Sequence, residues 1–240
     1  MTSSHLPETT PSNDATLSPS ASRTDNATND NASSATLLTP EQAKSTYSST
    51  WIRSIAFIAL FAALFIGASF VKTGQGAAVP FSLQPFAVML AGGLLGAAYG
   101  FTSIFLVVAL TAVGLPLMNG PGGFAQIFGP TGGFIWMFPV SALLIGWTCD
   151  RLFADRSKLN KDRYWLLLLT MIVYGSLLLY VTGVPWLAHI TKSSIPAAIR
   201  AGMLPYLPGD LIKAIVATFV IAAVRPIVPM IRPTPRKRRQ

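Results

Sequence analysis

Negative charge is scarce in this chain, and its distribution says more than its amount. Only nine of the 240 residues are Asp or Glu, and five of them (Glu8, Asp14, Asp25, Asp30 and Glu41) precede residue 50. From Trp51 onward the acids are Asp150, Asp155, Asp162 and Asp210. Charged residues of both signs make up 11% of the chain, against roughly 25% in soluble domains. That is too little to solvate a globular surface of this size. With 51% hydrophobic residues and a mean hydropathy of +0.51, the chain from Trp51 reads as an integral membrane protein.

Other shortages exclude whole classes of chemistry. The single cysteine, Cys149, excludes an internal disulfide and a cysteine-ligated metal cluster. The two histidines, His5 and His189, have no partners at metal-ligand spacing. No Gly-x-x-x-x-Gly-Lys-Ser/Thr pattern occurs, so the chain does not hydrolyse ATP itself. Neither a metal nor a cofactor is expected.

The net charge of +9 invites a nucleic-acid reading, but the placement of the cations argues against it. They collect in one loop (Arg151, Arg156, Lys158, Lys161, Arg163) and in the tail (Arg225, Arg232, Arg236, Lys237, Arg238, Arg239). Both groups flank apolar segments, the pattern of a positive cytoplasmic side that meets anionic lipid.

Residues 1–48 are rich in Ser, Thr, Ala, Asn, Asp and Pro and nearly devoid of large apolar groups. Such a leader cannot bury enough surface to offset its ordering entropy and is expected to be disordered. It has no basic start, apolar run and small-residue cleavage site, so it is not a secretory signal. Asn26-Ala-Thr and Asn31-Ala-Ser match the glycosylation sequon as chance matches in this tract. The membrane domain is expected over 49–232, and a basic tail over 233–240.

Apolar segments near 51–71, 82–99, 101–118, 132–149, 164–187 and 209–231 each approach the ~20 residues that cross a bilayer as a helix. The second and third are expected to be parted by a turn at Gly100, and Pro139 lies inside the fourth. The fold class is therefore an all-α membrane protein, because helices satisfy every backbone polar group within lipid. Six crossings put both termini on one side. With that side cytoplasmic, the inner loop and tail hold eleven Lys/Arg, whereas the outer loops hold Lys72, Lys192 and Arg200. A multi-pass protein of a bacterial plasma membrane is expected, with cytoplasmic termini.

Against this background Asp210 stands out. It opens the last apolar segment in Leu-Pro-Tyr-Leu-Pro-Gly-Asp-Leu-Ile-Lys (204–213), and Lys213 follows on the same helical face. A carboxylate in a first turn suits the helix dipole, but an ammonium there does not. An ionisable pair in an apolar segment is by default a functional site. Residues 114–133, Gly-Leu-Pro-Leu-Met-Asn-Gly-Pro-Gly-Gly-Phe-Ala-Gln-Ile-Phe-Gly-Pro-Thr-Gly-Gly, form a loop of turns, either packed within the protein or lining a cavity. Gln84 offers a neutral donor and acceptor at the start of the second segment. Ala59, Ala63 and Gly67 make a small-residue stripe on the first, suited to close packing with another helix of this chain or with a separate protein.

Taken together, Val79-Pro-Phe-Ser-Leu-Gln84, Gly114-Leu-Pro, Gly129-Pro-Thr-Gly-Gly133 and Leu207-Pro-Gly-Asp-Leu-Ile-Lys-Ala214 resemble the BioY family. Its members are biotin-binding substrate-capture (S) components of energy-coupling-factor (ECF) transporters. The resemblance covers about residues 51–224. It implies a six-helix S-component bundle with long outward Gly/Pro loops, and as partners a transmembrane coupling protein and two cytoplasmic ATPases. In that frame Asp210 would accept from the ureido N–H groups of biotin and Lys213 would donate to a ligand oxygen. Gln84, Asn119 and the stretch with Pro130, Thr131 and Gly133 would complete the polar contacts. Phe124, Phe134 and Tyr206 would cover the apolar part, and Ala59, Ala63 and Gly67 would dock on the coupling protein.

The chain departs from the family pattern in two places. Phe134 stands where members often have Tyr, with Trp136-Met137-Phe138 in place of a more Gly-containing run. Pro121 lies in the loop where some members carry a basic residue, which leaves Lys213, Lys192 and Arg200 as candidates for the ligand carboxylate. The alternatives are an S component for another small vitamin, an autonomous biotin facilitator, and an intramembrane enzyme using Asp210 as a base. The last lacks a second catalytic group beyond Lys213.

Overall fold

The apolar runs of the sequence become helices. The computed structural model describes residues 40–73, 81–118, 120–154 and 160–227, with the backbone alone at 40–50, 72 and 73. The leader before residue 40, Asn119 and the tail beyond residue 227 lie outside the described residues. From Thr46 onward the described residues belong to one unit.

In chain order the elements are α1 (Pro40–Phe70), β1 (Lys72–Thr73), β2 (Phe81–Ser82), α2 (Gln84–Leu95), α3 (Ala97–Val113), α4 (Gly123–Ile127) and α5 (Gly132–Leu152). Then follow α6 (Lys161–Ile172), α7 (Leu178–Thr191), α8 (Ile195–Gly202) and α9 (Leu207–Val224). A π turn, Val173–Leu177, joins α6 to α7, so that Lys161–Thr191 is helical throughout. The wider turn misaligns the backbone ladder, and Ser141 donates to the Tyr174 carbonyl there at 2.6 Å.

Four helical stretches are long and apolar enough to cross a membrane: Trp51–Phe70, α5, Lys161–Thr191 and α9. The protein is thus a multi-pass, mostly helical membrane protein. The second and third apolar segments are shorter than expected, at 12 and 17 residues. The break between them is at Gly96, not at Gly100. Gly96 adopts φ 83° and ψ −177°, a conformation essentially confined to glycine. Gly100 instead lies inside α3, where a β-carbon would meet the Gly92 backbone at 2.8 Å.

Helix α5 is the hub and packs on α2, α3 and α7, while α9 packs on α2 and α6. One core cluster, with Phe65, Val88, Ile104, Phe134, Phe138 and Leu187, fills the half that includes α1, α3 and α7. A second, with Met89, Ile145, Leu167, Met171 and Ile221, fills the half next to α9. Helix α1 is attached lightly: Ser103 donates to the Ile58 carbonyl at 3.0 Å, and Phe65 meets Phe138 edge-on at 5.6 Å. Ala59, Ala63 and Gly67 are exposed, and a β-carbon on Gly67 would meet nothing within 4 Å. Among the described residues, no helix of the same chain covers that stripe.

Candidate functional site

The α9 N-terminus, β2, the loop before α5, and α5 and α7 converge on an open cavity, whose empty space together with the solvent at its mouth amounts to about 710 Å³. Apolar and aromatic side chains (Phe81, Pro85, Met118, Phe134, Ile135, Phe138, Leu179) share the lining with Ser82, Gln84, Gln126, Thr131, Tyr180, Tyr206, Asp210 and Lys213 as polar groups.

Asp210 and Lys213 sit in the first turns of α9, 5% and 7% exposed. Pro208 near the start of α9 supplies the fixed φ that suits a helix beginning, and no side chain caps it. The Lys213 ammonium donates to Asp210 Oδ1 at 2.9 Å and to the Ser82 carbonyl at 2.7 Å. It also lies 4.0 Å from the centroid of the Phe81 ring. Its three N–H groups therefore face a carboxylate, a carbonyl and an aromatic face. The Tyr180 hydroxyl, from α7, donates to Asp210 Oδ2 at 2.5 Å. A carboxylate offers about four acceptor positions, so Asp210 retains capacity for further donors on the cavity side.

The β1–β2 ribbon is fastened to α9 by more than the ammonium. Phe81 stacks on Tyr206 with centroids 6.4 Å apart, and a β-carbon on Gly209 would strike the Phe81 ring at 2.5 Å. The glycine of the Pro-Gly-Asp motif thus makes room for the ribbon. Burial raises the pKa of the Tyr206 phenol, which keeps it a neutral donor at physiological pH.

The Gly/Pro loop closes the cavity from another side and is held by side-chain amides and indoles. Gln126 accepts from the Gly122 N–H and donates to the Met118 carbonyl, both at 3.0 Å. Trp136 donates to the Ile127 carbonyl at 3.0 Å and Trp186 to the Gly129 carbonyl at 2.8 Å. Gly133 lies flat against α7: a β-carbon there would meet Trp186 at 2.5 Å, and its carbonyl accepts from Thr182 at 2.8 Å.

Of the residues expected to form the site, Gln84, Thr131, Phe134, Tyr206, Asp210 and Lys213 line the cavity together. Phe124, Pro130 and Gly133 are not in the lining. Phe124 is 72% exposed and stacks on Phe128, Pro130 is exposed, and Gly133 packs on α7. Asn119 lies outside the described residues. Lys192 and Arg200, the other candidates for a ligand carboxylate, are exposed and absent from the lining. Ser82, Gln126 and Tyr180 went unidentified by sequence. Only Tyr180 carried a signal, since a buried phenol needs a hydrogen-bond partner, but Tyr174 carries the same one.

A sequence profile of the BioY family matches residues 36–230. The "Probable biotin transporter BioY" of Pyrococcus horikoshii is 37% identical over 174 residues, covering 72% of this chain and 95% of that protein. The "Biotin transporter BioY" of Rhodobacter capsulatus is 34% identical over 187 residues, with 72% and 95% covered. A crystal structure of the S-component for biotin from an ECF-type ABC transporter superposes with a TM-score of 0.66 at 27% identity, covering 74% of this chain and 93% of that one.

Proposed function

The chain belongs to the BioY family, and on that premise we propose that it captures biotin in the cavity beside Asp210 and delivers it as the S component of an ECF transporter. It makes and breaks no bond; it is a transport protein. The observation that carries the reading is the buried Asp210–Lys213–Tyr180 cluster on the wall of the cavity. Biotin presents a ureido ring with two N–H donors and a carbonyl, an apolar thioether ring and a carboxylate tail. Asp210 accepts from the ureido N–H groups, and charge assistance in a dry site strengthens those bonds. Phe134, Phe138, Leu179 and Tyr206 enclose the ring system, and Gln84, Thr131 and Gln126 offer neutral polar contacts.

The membrane arrangement follows the same reading. Helices α2 and α3 join the four longer spans to make six segments, with both termini cytoplasmic and the cavity facing outward. The basic tail then meets anionic lipid on the inner side of a bacterial plasma membrane. The exposed Ala59/Ala63/Gly67 stripe admits the close approach of a helix of the coupling protein, and two cytoplasmic ATPases supply the energy.

Equilibrium binding of labelled biotin to the purified protein, with desthiobiotin and thiamine as competitors, tests the reading. Displacement by desthiobiotin and not by thiamine is expected. Thiamine competing as well as biotin would overturn the assignment.

A further inference from the structure

Glycine inside a helix costs stability relative to alanine, so the buried Gly183 in the middle of α7 asks for a reason. Its neighbour supplies one. A β-carbon on Gly183 would lie 2.3, 2.4 and 2.5 Å from three carbons of the Phe134 ring. Close-packed atoms do not approach so far, so the ring rests on bare α7 backbone. That ring is 8% exposed, lines the cavity and meets Tyr180 edge-on with centroids 6.0 Å apart. Tyr180 precedes Gly183 on the same helical face and donates to Asp210.

A side chain in place of Gly183 would have to move either the helices or the ring. The helices are fastened to each other at this level. Thr182 donates to the Gly133 carbonyl at 2.8 Å, and Trp186 to the Gly129 carbonyl at 2.8 Å. Gly133, next to Phe134, packs so closely on α7 that a β-carbon there would meet Trp186 at 2.5 Å and the Thr182 carbonyl at 2.7 Å. The ring therefore yields. It is part of the buried core, and the open space beside it is the cavity it lines.

We infer that Gly183 is a positioning residue that sets the width of the cavity and so its selectivity for the ligand's ring. Without a side chain there, Phe134 lies back against α7, and the space so freed admits the fused thioether ring. Gly183 itself is not in the lining. The size limit thus resides in a residue that touches no ligand and acts through Phe134. This rests on biotin being the ligand, as proposed above.

The test measures equilibrium binding of biotin and desthiobiotin to the full-length wild type, Gly183→Ala, Phe134→Val and the double variant. Desthiobiotin keeps the ureido and carboxylate groups but lacks the sulfur that closes the thioether ring, so its apolar part is slimmer and flexible. Gly183→Ala should weaken biotin at least about tenfold, the effect of one carbon's worth of lost room, and desthiobiotin at most about threefold. Retained desthiobiotin binding also shows that the variant is folded. Phe134→Val removes the three clashing ring carbons, and in that background Gly183→Ala should cost biotin less than about twofold. Unchanged biotin binding by Gly183→Ala, an equal loss for both ligands, or an undiminished cost in the Phe134→Val background would each overturn the inference. Failure of the wild type to bind biotin would instead overturn the reading of the ligand itself.

Discussion

Helix α9 carries an ion pair at each end, and the two differ in what surrounds them. At the first turn Asp210 meets Lys213 beside the cavity. About 22 Å away, by the helical rise from Asp210 to Arg225, Arg225 follows the last turn and meets Asp150 of α5. Neither Asp150 nor Arg225 is among the described residues that line the cavity. Asp150 accepts from the Ala97 N–H at 3.0 Å, at the start of α3. Arg225 donates to the Gly93 carbonyl in the last turn of α2 and lies over the Phe153 ring. The pair is thus a double cap on the Gly96 break, with the anion at a helix start and the cation at a helix end, as the helix dipoles favour. The first pair is local, three residues apart, and keeps acceptor capacity facing an open space. The second spans 75 residues and closes a joint. Each pair joins one carboxylate to one buried cation, and Asp150 is the more exposed of the two acids, so burial does not mark the binding site; the neighbours do.

Mutation can break this comparison or sharpen it. Asp210→Ala leaves the Lys213 ammonium buried without its partner. A cost of roughly 3–5 kcal/mol should lower biotin affinity at least about a hundredfold in equilibrium binding. Normal affinity in that variant would make the first pair merely structural, like the second. Arg225→Ala should lower the thermal unfolding midpoint in detergent, reflecting about 3 kcal/mol of lost stability. The folded fraction should bind biotin within about twofold of wild type. A specific loss of affinity there would show that the two ends are coupled. Tyr180→Phe removes one hydrogen bond to Asp210 and should weaken binding about tenfold, near 1.4 kcal/mol. An unchanged affinity would place Tyr180 with the scaffold rather than the site. The smallest effect is expected from Phe124→Ala, with affinity within about twofold of wild type. A large loss would mean that the Gly/Pro loop closes further over a bound ligand than the empty cavity shows.

The first pair was legible in the sequence because a charge in an apolar helix is costly and therefore rare. The second was not. Arg225 is continuous in sequence with the basic tail and reads as one more topogenic cation, yet it is 5% exposed. Nothing local reveals that Asp150, at the other edge of a basic loop, folds back to meet it. The helices were legible for the same reason as Asp210, since long apolar runs have few alternatives. Their breaks were less so: Gly96 and Gly100 are four residues apart, and only the backbone conformation separates a hinge from a packing glycine. In the Gly129-Pro-Thr-Gly-Gly133 motif, glycine signalled a close approach without saying to what, and Gly133 approaches Trp186 rather than the cavity. Tyr180 remained hidden because a phenol within an apolar helix serves a core, a lipid interface or a site equally well.

The neutrality of the Asp210–Lys213 pair also has an electrical meaning. A membrane at rest sets a field in which one elementary charge gains or loses about 2.3 kcal/mol per 100 mV. Asp210 and Lys213 together add no net charge to the cavity wall. On the reading proposed above, the carboxylate of a bound biotin would then be the one net charge that this site presents to the field. The side chains that choose the ligand would thus leave any voltage dependence of uptake to the ligand's own charge.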